Sequence, residues 1–169
     1  MKKAVRIALT GVLAALAVAV GYLEFLLPSD IAGIPGIKPG FANILVMAAL
    51  YLLGTGEAAL VSAAKITVSW LVFGSFTSFI YSLCGGVLSF AVMVLLKKTN
   101  RFGHVGVSVG GAVTHNVGQT AVAALMLGDG YVFYYLPVLL VAAAVTGTLN
   151  GLIIKAALPP LSKALHRTE

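Results

Sequence analysis

Apolar stretches of bilayer-spanning length follow one another through almost the whole chain, with only short turns between them. That pattern restricts the backbone to helix, because a single segment in hydrocarbon must satisfy its own N–H and C=O groups. The chain is 60% hydrophobic and 9% charged, with mean hydropathy +1.04. A soluble domain could not bury that much apolar surface, so lipid must cover it. At about 20 residues per span, a length of 169 residues suits about six membrane helices in one transmembrane domain, 1–169. The expected fold is an all-α integral membrane protein with six transmembrane helices.

The expected helices cover about 4–27, 41–53, 57–73, 77–96, 104–127 and 131–158. Gly54-Thr55-Gly56, the turn at 74–77, the run Lys97-Lys98-Thr99-Asn100-Arg101 and Gly128-Asp129-Gly130 separate them. Pro159-Pro160 is expected to stop the last helix, leaving a short basic tail. The second helix is short for a span, so it must be tilted or sunk among its neighbours. Met1-Lys2-Lys3 and Ala17-Val18-Ala19 imitate a signal peptide and its cleavage site. The apolar run continues past them to Leu27, which is spanning length.

Charge supports this segmentation. With six helices, Lys2, Lys3, Arg6, Lys97, Lys98, Arg101, Lys155, Lys163 and Arg167 all fall on one side, which the positive-inside rule makes cytoplasmic for both termini. Glu24, Asp30 and Asp129 fall on the other. Lys38 and Lys65 are the cations that do not fit. The net charge of +6 is therefore a rim of membrane-flanking cations; no motif or basic stripe elsewhere points to nucleic acid.

Lys38 lies in Ile34-Pro35-Gly36-Ile37-Lys38-Pro39-Gly40-Phe41-Ala42-Asn43, a polar, non-helical interruption. Pro35 and Pro39 lack N–H donors, and Gly36 and Gly40 supply positive φ cheaply. The segment reads as a stiff lid over a site sunk in the membrane, or as an ordinary loop with a solvated lysine. Asn43 lies close to it and could join a site from above. Lys65 sits near the middle of helix 3, roughly 12 Å from either end at 1.5 Å per residue. An ammonium there costs about 2.5–3.5 kcal/mol on insertion scales and faces a cavity or a partner. Glu24 is the acid that could pair with it.

A second polar cluster is Thr114-His115-Asn116-Val117-Gly118-Gln119-Thr120 on helix 5. His115 and Gln119 are four apart, and Asn116 and Gln119 three apart, so they share a face. They either bind a polar ligand or hydrogen-bond between helices. Asn150 reads as a structural hydrogen-bonding residue, and Trp70, Tyr131, Phe133, Tyr134 and Tyr135 as interfacial aromatics. On helix 1, Ala4, Ala8, Gly11, Ala15 and Ala19 form one small-residue face. It suits either internal packing, which the residues alone favour, or docking of a partner subunit.

Enzyme chemistry and cofactors find no support. Asp30 and Asp129 are too few for an Asp-rich magnesium motif, there is no phosphate-binding Gly-x-x-x-x-Gly-Lys-Ser/Thr loop, and the single cysteine, Cys84, excludes an intrachain disulfide. His104, His115 and His166 are too dispersed in depth for a metal triad. No cofactor, no metal and no catalytic residue is expected.

The segment Pro35 to Asn43, the turn Leu50-Tyr51-Leu52-Leu53-Gly54, the stretch Ser82 to Ser89, and Gly110-Gly111-Ala112-Val113-Thr114-His115-Asn116-Val117-Gly118-Gln119 resemble the small membrane family described as Gx transporter or heptaprenyl diphosphate synthase component I. That family in turn resembles the S components of energy-coupling factor (ECF) transporters. The resemblance implies a six-helix substrate-binding subunit with a site near the outer face, capped by the loop after helix 1. The residues themselves add a small anionic ligand, resembling a vitamin or quinone precursor: Lys38 and Lys65 attract the anion, His115, Asn116 and Gln119 orient it by hydrogen bonds, and Asn43 joins from above. Ala4 with Ala8, and Ala15 with Ala19, match the face that meets an ECF coupling membrane protein, with ATPase subunits as further partners. The alternative is a non-catalytic membrane subunit associated with a prenyl diphosphate synthase.

Overall fold

The computed structural model describes residues 2–27 and 40–166. Among them are six α-helices: α1 Lys3–Leu26, α2 Ala42–Leu52, α3 Thr55–Phe73, α4 Phe76–Lys98, α5 His104–Leu127 and α6 Leu136–His166. A 3-10 helix, Gly130–Tyr135, precedes α6, and there is no strand among the described residues. By length and composition α1, α3, α4 and the continuous segment Gly130–Leu165 can each cross a membrane. The other two are α5, as long as α1 but carrying His115, Asn116 and Gln119, and the short α2.

The turns follow from their glycines. Gly54 takes φ 117° and lets α3 start at Thr55, two residues before its expected beginning. Ser75 opens α4 through a reciprocal capping box with Ser78. The expected start and stop of the last helix both need correction. Residues 130–135 are 3-10, with Asp129 capping the Tyr131 amide at 2.9 Å, and the α-helix begins where Pro137 fits its first turn. It then runs through Pro159 and Pro160 instead of stopping at them. Proline removes the donors for the carbonyls of Lys155 and Ala156. Both residues are exposed, so those carbonyls can bond to water at the polar rim.

Burial concentrates around α2, which is sunk among α1, α3 and α6. Met47, Leu50, Val61, Val107 and Ile154 are the largest fully buried side chains. The ends of this short helix are held by charges of opposite sign. At its C-terminus Lys97 Nζ donates to the Leu50 carbonyl and lies over the Tyr51 ring, while Arg6 Nη2 donates to the Leu53 carbonyl at 2.9 Å. Arg6 Nε is also paired with Glu57. Cations at the negative end of a helix dipole are favourable. These contacts bring the start of α1 and the end of α4 to one basic end of the bundle. α6 joins them there, since Gly151 packs on Val105 and Ser108 at the start of α5.

α5 lies between α4 and α6 and touches both closely. A Cβ added at Gly151 would stand 2.6 Å from Val105 Cα, and one at Gly147 2.8 Å from Val109 Cα. One added at Gly85 of α4 would stand 2.8 Å from Gln119 Cγ. Glycine permits each approach, as small residues do between membrane helices. α1 packs differently. Its buried side chains are Ala17 and Glu24, while Ala4, Ala8, Gly11, Ala15 and Ala19 are all exposed. The internal-packing reading of that stripe is therefore wrong within this chain: α2 and α3 cover the other side of α1.

Candidate functional site

A cavity of about 700 Å³ opens between the helices at the end opposite the basic rim, where the exposed α3–α4 turn residues Gly74 and Ser75 line it. Clefts of this size suit small molecules. Each helix contributes polar groups at spacings that keep them on one face. From α3 come Lys65 and Ser69, four apart; from α4 come Ser78, Ser82 and Ser89; from α5 come Ser108, His115 and Gln119, seven and four apart. Asn43 comes from the first turn of α2, and Thr146 and Asn150 from α6. Met47, Ile66, Phe79 and Met93 supply apolar wall.

Lys65 does not face lipid. Its Nζ donates to Asn43 Oδ1 at 2.6 Å, so the ammonium is held across the α2–α3 contact inside the cavity. The expected Glu24 pairing takes another form. Glu24 lines the same cavity, but its Oε1 accepts from the Phe41 amide at 2.6 Å and its Oε2 from the Ala42 amide at 3.4 Å, at the N-terminus of α2. A carboxylate there satisfies donors that open every helix.

On α5, Nδ1 of His115 is buried against Gly85 without a hydrogen-bond partner among the described residues. Asn116 lines the cavity, yet its Nδ2 donates to the Leu139 carbonyl at 2.9 Å and so ties α5 to α6. Gln119 also lines it, packed against Gly85. Thus Asn43, Lys65, His115, Asn116 and Gln119 all meet in one cavity. Lys38 and the rest of the expected lid, 34–39, lie outside the described residues; Gly40 takes φ 71° and lines the cavity.

Comparison with known families decides the relationship. The family model for heptaprenyl diphosphate synthase component I matches residues 13–157. The chain belongs to the heptaprenyl diphosphate synthase component I family. No curated protein matches it, and no solved structure does. The match to component I spans every described residue that lines the cavity, from Gly21 to Asn150.

Two cavity residues of this component I chain escape a reading of its sequence. Asn150 reads there as a purely structural amide. It lines the cavity, is 7% exposed, and its Nδ2 donates to the Gly40 carbonyl at 3.3 Å. Trp70 reads as interfacial, whereas it lines the cavity with its ring 4.7 Å from that of Phe79. Tyr131, Tyr134 and Tyr135 are exposed, as interfacial aromatics are.

Proposed function

We propose that this protein is a non-catalytic, substrate-binding membrane subunit of the S-component type. It captures a small anionic molecule, resembling a vitamin or quinone precursor, from the outer face of the bacterial cytoplasmic membrane and depends on an ECF-type coupling protein and ATPases for uptake. The observation that carries this is the Lys65 ammonium, fixed by Asn43 inside a cavity of about 700 Å³ that opens away from the basic rim. A cation enclosed by apolar helices is stabilised by a counter-charge, and a ligand anion supplies one. His115, Asn116 and Gln119 orient the ligand by hydrogen bonds, and Lys38 joins them from the lid. The exposed small-residue face of α1, Ala4 to Ala19, is the docking surface for the coupling protein. No cofactor takes part.

Native mass spectrometry of the purified protein tests this reading. A co-purified molecule carrying an acidic group is the expected result, and its loss from Lys65→Met the control. Protein that is empty from every growth medium, together with no release of mass from Lys65→Met, would remove the proposal.

A second reading follows from the family description. In it the protein is a non-catalytic membrane subunit associated with a prenyl diphosphate synthase. It predicts co-purification with a soluble, Asp-rich synthase in place of ATPases.

A further inference from the structure

Glu24 adds a charge to the cavity that the ligand-capture reading above, on which this inference rests, does not use. Among the described residues, Glu24 and Lys65 are the charged side chains that line it. Both are fixed by the first turn of α2. Glu24 holds the amides of Phe41 and Ala42 at 2.6 and 3.4 Å, and the next residue, Asn43, accepts from Lys65 at 2.6 Å. Glu24 is only 9% exposed, so its carboxylate is part of the wall and does not swing into water.

The formal sum of these two charges is zero. Among the described residues, what remains is the positive end of α2, equivalent to roughly half an elementary charge and already facing Glu24. A cavity with Lys65 alone would favour anions in order of their charge. With Glu24 in the wall, a group bearing one negative charge can take Lys65 as its partner while Glu24 keeps its amides. A phosphomonoester or diphosphate would bring at least one more negative charge than that. It would also stand in the field of a fixed carboxylate, in a site where uncompensated charge is costly.

We infer that Glu24 is a specificity-determining residue that lowers the negative charge this cavity accepts and favours a monocarboxylate or a zwitterion over phosphomonoesters and diphosphates.

The protein carries its own reporter. Trp70 is the single tryptophan of the chain and lines the cavity. Full-length protein in lipid nanodiscs is titrated with iodide and with caesium, and the ratio of their quenching of Trp70 is read. Glu24→Gln keeps an acceptor oxygen for the α2 amides and should raise the iodide-to-caesium ratio at least twofold. Lys65→Met should lower it by a similar factor, and the double variant should return it close to the wild-type value. Benzoate should protect Trp70 from acrylamide at concentrations at least fivefold lower than phenyl phosphate does, and Glu24→Gln should narrow that gap. An unchanged ratio in Glu24→Gln, or phenyl phosphate protecting as well as benzoate, overturns the inference. Failure of the capture reading looks different: no small molecule co-purifies and Lys65→Met changes nothing in native mass spectrometry, yet the quenching ratios still shift.

Discussion

Lys65 stands near the middle of its helix with one hydrogen bond that the structure names, to Asn43, and an open cavity beside it. Hydrogen bonds to a charged group are worth about 1.5–3 kcal/mol. Lys65→Met should therefore weaken binding of the co-purified ligand by roughly ten- to a hundred-fold at 1.4 kcal/mol per decade, measured by isothermal titration. An unchanged Kd would show that the ammonium does not meet the ligand. Residues of this kind were legible in the sequence because they break an apolar run: Lys65, His115 and Gln119 stand out by polarity alone. The bonds that Glu24 and Asn150 make to the backbone were not, since they reach groups far along the chain. Glu24 bonds to amides 17 and 18 residues on, and Asn150 to a carbonyl 110 residues away. Side-chain patterns carry no trace of such bonds.

Among the elements, the helix count and the short, sunken α2 follow from apolar run lengths, which is why five of the segments begin and end within two residues of expectation. The end of the last one departs because proline obstructs a helix only where its missing donor matters, and the carbonyls affected by Pro159 and Pro160 belong to the exposed Lys155 and Ala156. Packing between elements is set by glycine. Gly151→Val would drive a Cβ to 2.6 Å from Val105 Cα, a backbone atom that cannot move aside. Overpacking of this kind costs about 1–3 kcal/mol. The variant should unfold at lower temperature than the wild type in detergent, with the α5–α6 contact forced apart. An unaltered Tm would mean that α5 and α6 do not approach as closely as described.

For the molecule as a whole, the face of α1 that carries Ala4, Ala8, Gly11, Ala15 and Ala19 is exposed, and an added Cβ at Gly11 meets nothing within 4 Å. The sequence placed these residues on one face but could not say which way that face looks, because lipid and protein interiors are equally apolar. Gly11→Leu should leave Tm and Trp70 quenching as they are while abolishing co-purification of an ATPase complex from the native membrane. Retention of that complex would locate the docking surface elsewhere.

The position of α2 has a consequence for the membrane itself. Its eleven residues rise about 16 Å, half the thickness of the hydrocarbon layer, and the cavity occupies depth that a full-length span would have sealed. Among the described residues, the stratum around Met47, Leu50, Val61, Val107 and Ile154 is then what separates the two sides of the membrane. The electrical potential across the bilayer then falls mainly over that thin septum, so an ion that reached Lys65 would already have crossed about half of the geometric distance but little of the voltage.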